Sequence, residues 1–266
     1  MRHVKAETAA GRMILCERDA KSLEPQQREQ RIAQLLSELP EDFPQLEFNA
    51  IVYKDMVRIL SGTVAGIDLG AKAEILARVY VGGSIHDAVR KNLASVVDIL
   101  AHKNPTMHVL EVGAGTGNCT SIALAVLNTY DRDMPGHHAK RHRDYTFTDI
   151  SPAFFEKAEE LFSANPPMNY KMSRLPVDAT AQGFDLGEYG LILASDVMHA
   201  PGNTDQLLRN CSRLLKPDGK LVMPEITQTG SLTPVQFAFG TLPSFWEYLD
   251  DIDAGRPLGP FRTLPS

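Results

Sequence analysis

Three glycines at alternate positions most constrain the fold of this chain. They lie in the run Glu111-Val-Gly113-Ala-Gly115-Thr-Gly117, between a strand predicted over His108 to Gly113 and a helix predicted over Thr120 to Thr129. Glycine is needed where the backbone takes a positive φ, and where a ligand approaches the main chain more closely than a Cβ allows. A strand, a glycine turn and a helix in this order predict an α/β fold with a ligand site at the turn.

Four further apolar runs rich in β-branched residues alternate with helical stretches. The predicted strands are Tyr145 to Ile150, Tyr170 to Leu175, Gly190 to Asp196 and Lys220 to Ile226. Strands that alternate with helices indicate a doubly wound α/β fold, a parallel sheet with helices on both faces. The turn Lys216-Pro-Asp-Gly219 before the last strand, and the helix start at Ser151-Pro152, agree with this interpretation.

The chain before Pro105 has a different pattern. Apolar residues recur there at spacings of three and four, which is typical of amphipathic helices. A length of 266 residues favours one large domain with an extra segment. We therefore expect a helical lead-in or lid over residues 1–104 and a ligand-binding core over residues 105–266.

Composition excludes several classes of protein. The 27 basic and 33 acidic residues give a net charge of −6, and the basic residues form no periodic face, so nucleic acid is not an expected partner. The longest uncharged run, Val112 to Tyr130, is too polar to span a membrane. Three cysteines without C-x-x-C spacing, and an N-terminus without an apolar signal region, predict a reduced, cytoplasmic protein.

The spacing of the glycine loop discriminates among ligands. A dinucleotide fingerprint requires G-x-G-x-x-G and a Walker loop requires Gly-Lys-Ser/Thr, and neither is present. Glu111 opens the loop and Asp149 ends the next strand, so two acidic residues suit a ligand with an ammonium group and a ribose diol but no phosphates. S-adenosylmethionine has these features. The alternative is a tight strand-to-helix turn that binds nothing.

Five runs in the predicted core resemble one known family: Leu110-Glu-Val-Gly-Ala-Gly-Thr-Gly117, Tyr145-Thr-Phe-Thr-Asp-Ile-Ser151, Gln182-Gly-Phe184, Leu193-Ala-Ser-Asp-Val-Met-His-Ala200 and Leu215-Lys-Pro-Asp-Gly-Lys-Leu221. In order and spacing they are similar to the C-methyltransferase domain of fungal highly reducing polyketide synthases. The resemblance implies a class I, Rossmann-like methyltransferase fold with S-adenosylmethionine as the methyl donor. It also implies transfer to the α-carbon of a β-ketoacyl thioester on an acyl carrier protein.

The resemblance assigns cofactor contacts to individual residues. The glycine loop would cradle the cofactor, Asp149 would hold the ribose hydroxyls, and neighbouring positions would complete the site. The full set of candidate cofactor-binding residues is Glu111, Gly113, Gly115, Gly117, Asp149, Ile150 and Ser195.

Methylation of a carbon beside a carbonyl requires a base near the proton that leaves, and histidine suits that task. His199 follows the fourth predicted strand and Glu225 lies near the end of the fifth, and paired strands run about 4.8 Å apart. A carboxylate there would fix the imidazole tautomer and stabilise the imidazolium. Both positions match the family's catalytic dyad. The alternatives are a loop or capping histidine and a solvated strand-end charge.

The other histidines carry weaker signals. His137, His138 and His142 lie among Lys140, Arg141 and Arg143 without a cluster of Cys, Asp or Glu at metal spacing. A solvated basic loop is favoured, and no metal is expected. This loop could attract an acidic carrier protein.

Three departures from the family pattern matter. Ser173-Arg174-Leu175-Pro176 replaces Leu-Asp-Ile-Glu, whose carboxylate contacts the adenosine, with Asp178 as a weak substitute. Cys119 follows the loop where small residues are common, which would tighten the cofactor pocket. The chain from Phe237 to Ser266 is too rich in Pro and Gly for a hairpin, so we expect a shortened C-terminal edge. The tail would then cover the last strand, or two copies would form a homodimer there.

Two classes of function follow. One is an active methyltransferase that acts on a small-molecule or carrier-bound polyketide substrate, with O-methylation of a hydroxyl as the alternative to C-methylation. The other is an inactive methyltransferase-like partner of a synthase. Asp149, His199 and Glu225 favour the first class, whereas Arg174 and the short C-terminus favour the second.

Overall fold

The fold is taken from a computed structural model of the chain. It describes residues 4–8, 11–15, 24–38, 44–66, 68–69, 75, 78–79, 84–128, 140–165, 167–173, 178–197, 204–225, 234–241 and 245. His199, Arg174, His137 and His138 lie outside the described residues, as does most of the tail after Thr241.

Short strands open the chain and helices follow them. The first half contains β1 (Val4–Thr8), β2 (Gly11–Leu15), α1 (Pro25–Ser37), α2 (Pro44–Leu60), α3 (Ser84–Lys103), β3 (His108–Glu111) and α4 (Asn118–Leu127). The second half contains β4 (Asp144–Asp149), α5 (Phe155–Phe162), β5 (Met168–Met172), β6 (Tyr189–Leu193), α6 (Thr204–Leu214), β7 (Leu215–Val222) and α7 (Pro234–Phe239). Single helical turns, Pro152–Phe154 and Thr180–Gln182, precede α5 and β6. The antiparallel pair β1 and β2 is not among the elements that the sequence pattern predicts.

The five strands predicted in the core form one parallel sheet. Its order is β5-β4-β3-β6-β7, with β3 in the centre. Glu111 pairs with Phe147 of β4 on one side and with Leu193 of β6 on the other. The chain thus winds outward from β3 in both directions, which leaves a crevice at the carboxyl ends of the central strands, where open α/β sheets bind ligands. The α/β prediction is confirmed.

Helices cover both faces of this sheet because successive strand residues point to opposite sides. Val109 belongs to a buried cluster with Val97 of α3 and Leu127 of α4, whereas Leu110 packs with Leu207 of α6. Helix α3, the last helix of the predicted lead-in, therefore packs into the same hydrophobic core as one face of the sheet.

A third hydrophobic cluster connects α2 with α7. Phe48 and Val52 of α2 pack against Ala238 of α7, and the rings of Phe48 and Phe239 lie 6.0 Å apart, edge to face. The first described residues of the predicted tail thus lie against α2 and not along β7. The rest of the tail lies outside the described residues.

The predicted turn before the last strand is an irregularity within β7. Leu215 pairs with Tyr189, but the next pair along the ladder is Lys220 with Leu191, so the residues between them bulge out of register. A Cβ on Gly219 would lie 2.8 Å from the carbonyl oxygen of Tyr189, so only glycine allows this approach. Among the residues that the structure describes, no helix has the length and apolar character needed to cross a membrane.

Candidate functional site

The glycine loop follows β3 at the crevice. Gly113, Gly115 and Gly117 all take positive φ, at 62°, 54° and 78°. The amide of Ala114 donates to the carbonyl of Thr148 at 2.9 Å, which ties the loop to the end of β4. Positive φ at alternate positions explains why the sequence has three glycines here.

The three glycines differ in what surrounds them. A Cβ on Gly113 would lie 2.5 Å from Cγ2 of Val197, and one on Gly117 would lie 2.8 Å from the ring of Phe162. Among the residues that the structure describes, a Cβ on Gly115 would meet nothing closer than the Gly113 carbonyl oxygen at 4.0 Å. Internal packing therefore requires Gly113 and Gly117, whereas Gly115 faces space that a ligand can occupy.

Asp149 connects the glycine loop to β4. Its buried carboxylate accepts the amide of Gly115 through Oδ2 and the amide of Ser151 through Oδ1, both at 3.0 Å. A carboxylate offers about four acceptor positions, so two remain for the hydroxyls of a ligand. The structure brings Asp149 and Gly115 together, as the hypothesis of a shared cofactor site requires.

Glu111 lies behind the loop rather than in the open space. Its side chain is 1% exposed, and Oε2 accepts hydrogen bonds from the hydroxyls of Thr120 and Tyr145, each at 2.5 Å. Burial raises the pKa of this carboxyl to about 7, although its hydrogen bonds act in the opposite direction. Direct contact between Glu111 and a cofactor stays a prediction.

Exposed apolar side chains lie next to Asp149. Ile150 is 61% exposed directly after the aspartate, and Met172, the register partner of Asp149 on β5, is 54% exposed. Such side chains can pack against a flat ring system. Met172 was not among the predicted site residues, because the strand was predicted over Tyr170 to Leu175, whereas β5 ends at Met172. Ser195 is partly buried just after β6.

Glu225 accepts a hydrogen bond from the segment that follows β6. Its Oε1 accepts the amide of Val197 at 2.9 Å, and the amide of Asp196 donates to the carbonyl of Pro224 at 2.9 Å. Among the described residues other than glycine, Asp196 alone takes a positive φ, at 53°. Glu225 thus fixes the segment that leads to His199, two residues further on. The predicted contact between His199 and Glu225 stays a prediction.

Two predictions about neighbouring residues are wrong, and a third stays a prediction. His142 does not belong to a solvated loop, since it is only 5% exposed and burial lowers its pKa, and Arg141 pairs with Asp98 at 2.8 Å. The thiol of Cys119 lies in the hydrophobic core and does not narrow the open space at Gly115. The Asp178 carboxylate accepts hydrogen bonds from the amide of Thr180 and the guanidinium of Arg213. Its part as a substitute acid for the adenosine stays a prediction.

Comparisons with known proteins agree with this geometry. The family described as "Methyltransferase domain" matches residues 110–221. The highly reducing polyketide synthase rstn3 of Aspergillus nomiae is 37% identical over 218 residues, which are 82% of this chain and 8% of that protein. A highly reducing polyketide synthase of Pyrenophora dematioidea is 34% identical over 87% of this chain and 9% of its own length. The chain thus spans under a tenth of either relative.

Two solved structures share most of the fold. The trans-methyltransferase CalH, in complex with SAH, superimposes with a TM-score of 0.77 at 28% identity, over 93% of this chain and 65% of CalH. The CurJ carbon methyltransferase superimposes with a TM-score of 0.76 at 26% identity, over 90% of this chain and 61% of CurJ.

The sheet order, the glycine loop and the aspartate behind it define a class I methyltransferase. Within that class, the chain belongs to the C-methyltransferase domains of polyketide synthases.

Proposed function

We propose that this chain transfers the methyl group of S-adenosylmethionine to the α-carbon of a β-ketoacyl thioester within a polyketide synthase system. The observation that carries the proposal is the open space at Gly115, whose amide is bonded to the buried Asp149. Glycine at position 115 meets the positive φ of 54° and also leaves that space free of a Cβ, which supports a ligand that approaches the backbone there.

The residues around this space fit the cofactor. Asp149 has acceptor positions left for two ribose hydroxyls, and the exposed side chain of Ile150 suits the adenine ring. Ser195 lies just after β6, which pairs with β3 on the side opposite to β4. The Asp149 carboxylate lies beside the loop, and an acidic group there suits a ligand with a positive charge. When bound, the cofactor supplies an electrophilic methyl group on a sulfonium.

His199 is the proposed base. A carbon beside a carbonyl holds its proton weakly enough for an imidazole placed within hydrogen-bond reach to remove it. Glu225 would orient His199 and stabilise its charged form, and it also fixes Val197, two residues before the histidine. One carboxylate would thus position both the side chain and the backbone that carries it.

The carrier-bound acceptor follows from the relatives. CalH is described as a trans-methyltransferase, and the curated relatives are polyketide synthases. We propose an acyl carrier protein or a synthase as the partner, and a cytoplasmic location, consistent with the free, buried thiols of Cys119 and Cys211. The division at residue 104, a lid role for the helices before it, homodimerisation and the lack of a metal remain proposals.

An inactive partner of a synthase is the second candidate. It is favoured by Ser173, whose buried hydroxyl has no hydrogen-bond partner in the described part of the chain, and by the engagement of Asp178 with Arg213. Neither supplies the carboxylate that the family has after the third core strand.

Labelled S-adenosylmethionine and a β-ketoacyl thioester distinguish these candidates. We expect the label on the α-carbon of the product, located by mass spectrometry and NMR. Label on an oxygen would replace the proposal with O-methylation. Binding without transfer to any β-ketoacyl or hydroxyl acceptor would favour the inactive partner.

Replacement of Asp149 by asparagine should weaken binding of S-adenosylhomocysteine, measured by calorimetry. The amide keeps the shape of the side chain but loses the charge and one acceptor atom, and hydrogen bonds to a charged group contribute about 1.5 to 3 kcal/mol. Asp205→Asn is the matched control, because it makes the same change at a side chain of α6 that is 81% exposed. Equal affinities of the two variants would place the ribose elsewhere.

A further inference from the structure

A buried acid lies beneath the glycine loop. The Glu111 carboxyl accepts hydrogen bonds from the hydroxyls of Thr120 and Tyr145, and the thiol of Cys119 donates a third. Cys119 and Thr120 belong to the first turn of α4, and Tyr145 lies on β4. These partners fix the carboxyl one residue before the loop begins.

Among the described residues, the titratable groups that face Glu111 are neutral or acidic. From α4 and β4 they are the titratable side chains of Cys119 and Tyr145, both with their pKa raised by burial and by the Glu111 charge. Beyond the end of β6, Asp196 acts on the same thiol. Helix α3 contributes apolar side chains, Leu93 and Val97 among them, to the hydrophobic cluster that contains Cys119 and Tyr145. Within the described ranges, no cation forms an ion pair with Glu111.

We propose that Glu111 holds a proton in the ligand-free protein and loses it when a cationic cofactor occupies the glycine loop, so that cofactor binding releases a proton. This inference rests on the proposed function and adds the release of a proton to the step in which the cofactor binds. Glu111 is then a positioning residue that sets the charge behind the loop. It does not touch the cofactor, because its side chain is 99% buried and lies outside the open space.

The physical reason is the cost of an uncompensated buried carboxylate. Burial favours the neutral acid, whereas a nearby positive charge favours the ionised form. Since burial raises the pKa of Glu111 to about 7, the proton is present through the mildly acidic range and the equilibrium is close enough to neutrality to shift. The sign follows from linkage: below pH 7 the cofactor must displace a proton, so its affinity should fall by up to about tenfold per pH unit.

Calorimetry in buffers of different ionisation enthalpy measures the proton directly. We expect S-adenosylmethionine binding at pH 6.5 to release between about half a proton and one proton, and this release should disappear in Glu111→Gln. The variant also subtracts any proton that the ligand itself exchanges. S-adenosylhomocysteine, which lacks the sulfonium charge, serves as the second probe and should release less.

Tyr145→Phe is the second variant, and it remains informative if Glu111→Gln fails to fold. Loss of the phenol removes a hydrogen bond that lowers the Glu111 pKa, so the midpoint of the affinity profile should move to higher pH. A purely structural role of Tyr145 would lower affinity equally at every pH. Binding without proton release by the parent protein would overturn this inference and leave the proposed function intact, whereas absence of binding would overturn the proposed function as well.

Discussion

His199→Ala is expected to lower methyl transfer by about a hundred to ten thousand fold, the usual effect of removing a general base. Cofactor affinity should stay close to that of the parent protein, because the imidazole acts on the proton of the acceptor and not on the methyl donor. The rate of the parent protein should also fall at low pH as His199 becomes protonated. Single-turnover transfer to a β-ketoacyl thioester, together with calorimetry of the cofactor, separates chemistry from binding.

Two variants serve as comparisons. Glu225→Gln keeps an oxygen that can accept the amide of Val197 but loses the charge and one acceptor atom, so we expect a smaller loss of rate than for the histidine. His102→Ala removes an exposed histidine at the end of α3 and should leave the rate unchanged. A His199→Ala protein with more than about a tenth of the parent rate would exclude the base assignment.

The strands and the loop could be predicted from sequence because both leave local patterns. Short apolar runs, turn residues and alternate glycines each depend on neighbours within a few positions. Those signals predicted the parallel sheet and the place of Asp149 beside the loop. They also indicated that a ligand approaches a glycine backbone there, without showing which glycine.

Contacts across the fold could not be predicted in the same way. Val197 packs onto Gly113, and Glu225 binds the amide of the same valine, over separations of 84 and 28 residues. The orientation of Glu111 depends on strand register, which places its carboxyl beside Tyr145 of β4. His142 looked solvated because its neighbours are basic, but the fold buries it. Local patterns therefore predicted the candidates for the site, whereas the contacts among them depend on packing between distant parts of the chain.

Gly113→Ala is expected to lower the free energy of unfolding by about 2 to 5 kcal/mol. Forcing a methyl group into a packed region costs about 1 to 3 kcal/mol, and a side chain at positive φ costs about 1 to 2 kcal/mol more. The new Cβ would lie 2.5 Å from Cγ2 of Val197, and the φ of Gly113 is 62°. Urea unfolding of the ligand-free protein measures this loss.

The contact with Val197 can be isolated in a double-mutant cycle. Val197→Ala removes the methyl groups that the new Cβ would meet, so the double variant should lose less stability than the sum of the two single variants. Strain from the positive φ persists in the double variant, which therefore should not recover fully. Additive losses would show that the valine does not account for the glycine at position 113.

Gly115→Ala tests whether Gly115 is needed for ligand binding, in contrast to Gly113, which is needed for packing. Its φ of 54° predicts a loss of about 1 to 2 kcal/mol in stability from strain alone, because its Cβ would meet no side chain of the described residues within 4 Å. That Cβ occupies the space assigned to the cofactor, so S-adenosylmethionine affinity should fall much more than stability does. If the Gly115→Ala protein binds the cofactor as tightly as the parent protein does, the ligand does not bind at the loop. Backbone geometry alone would then explain the glycine at position 115.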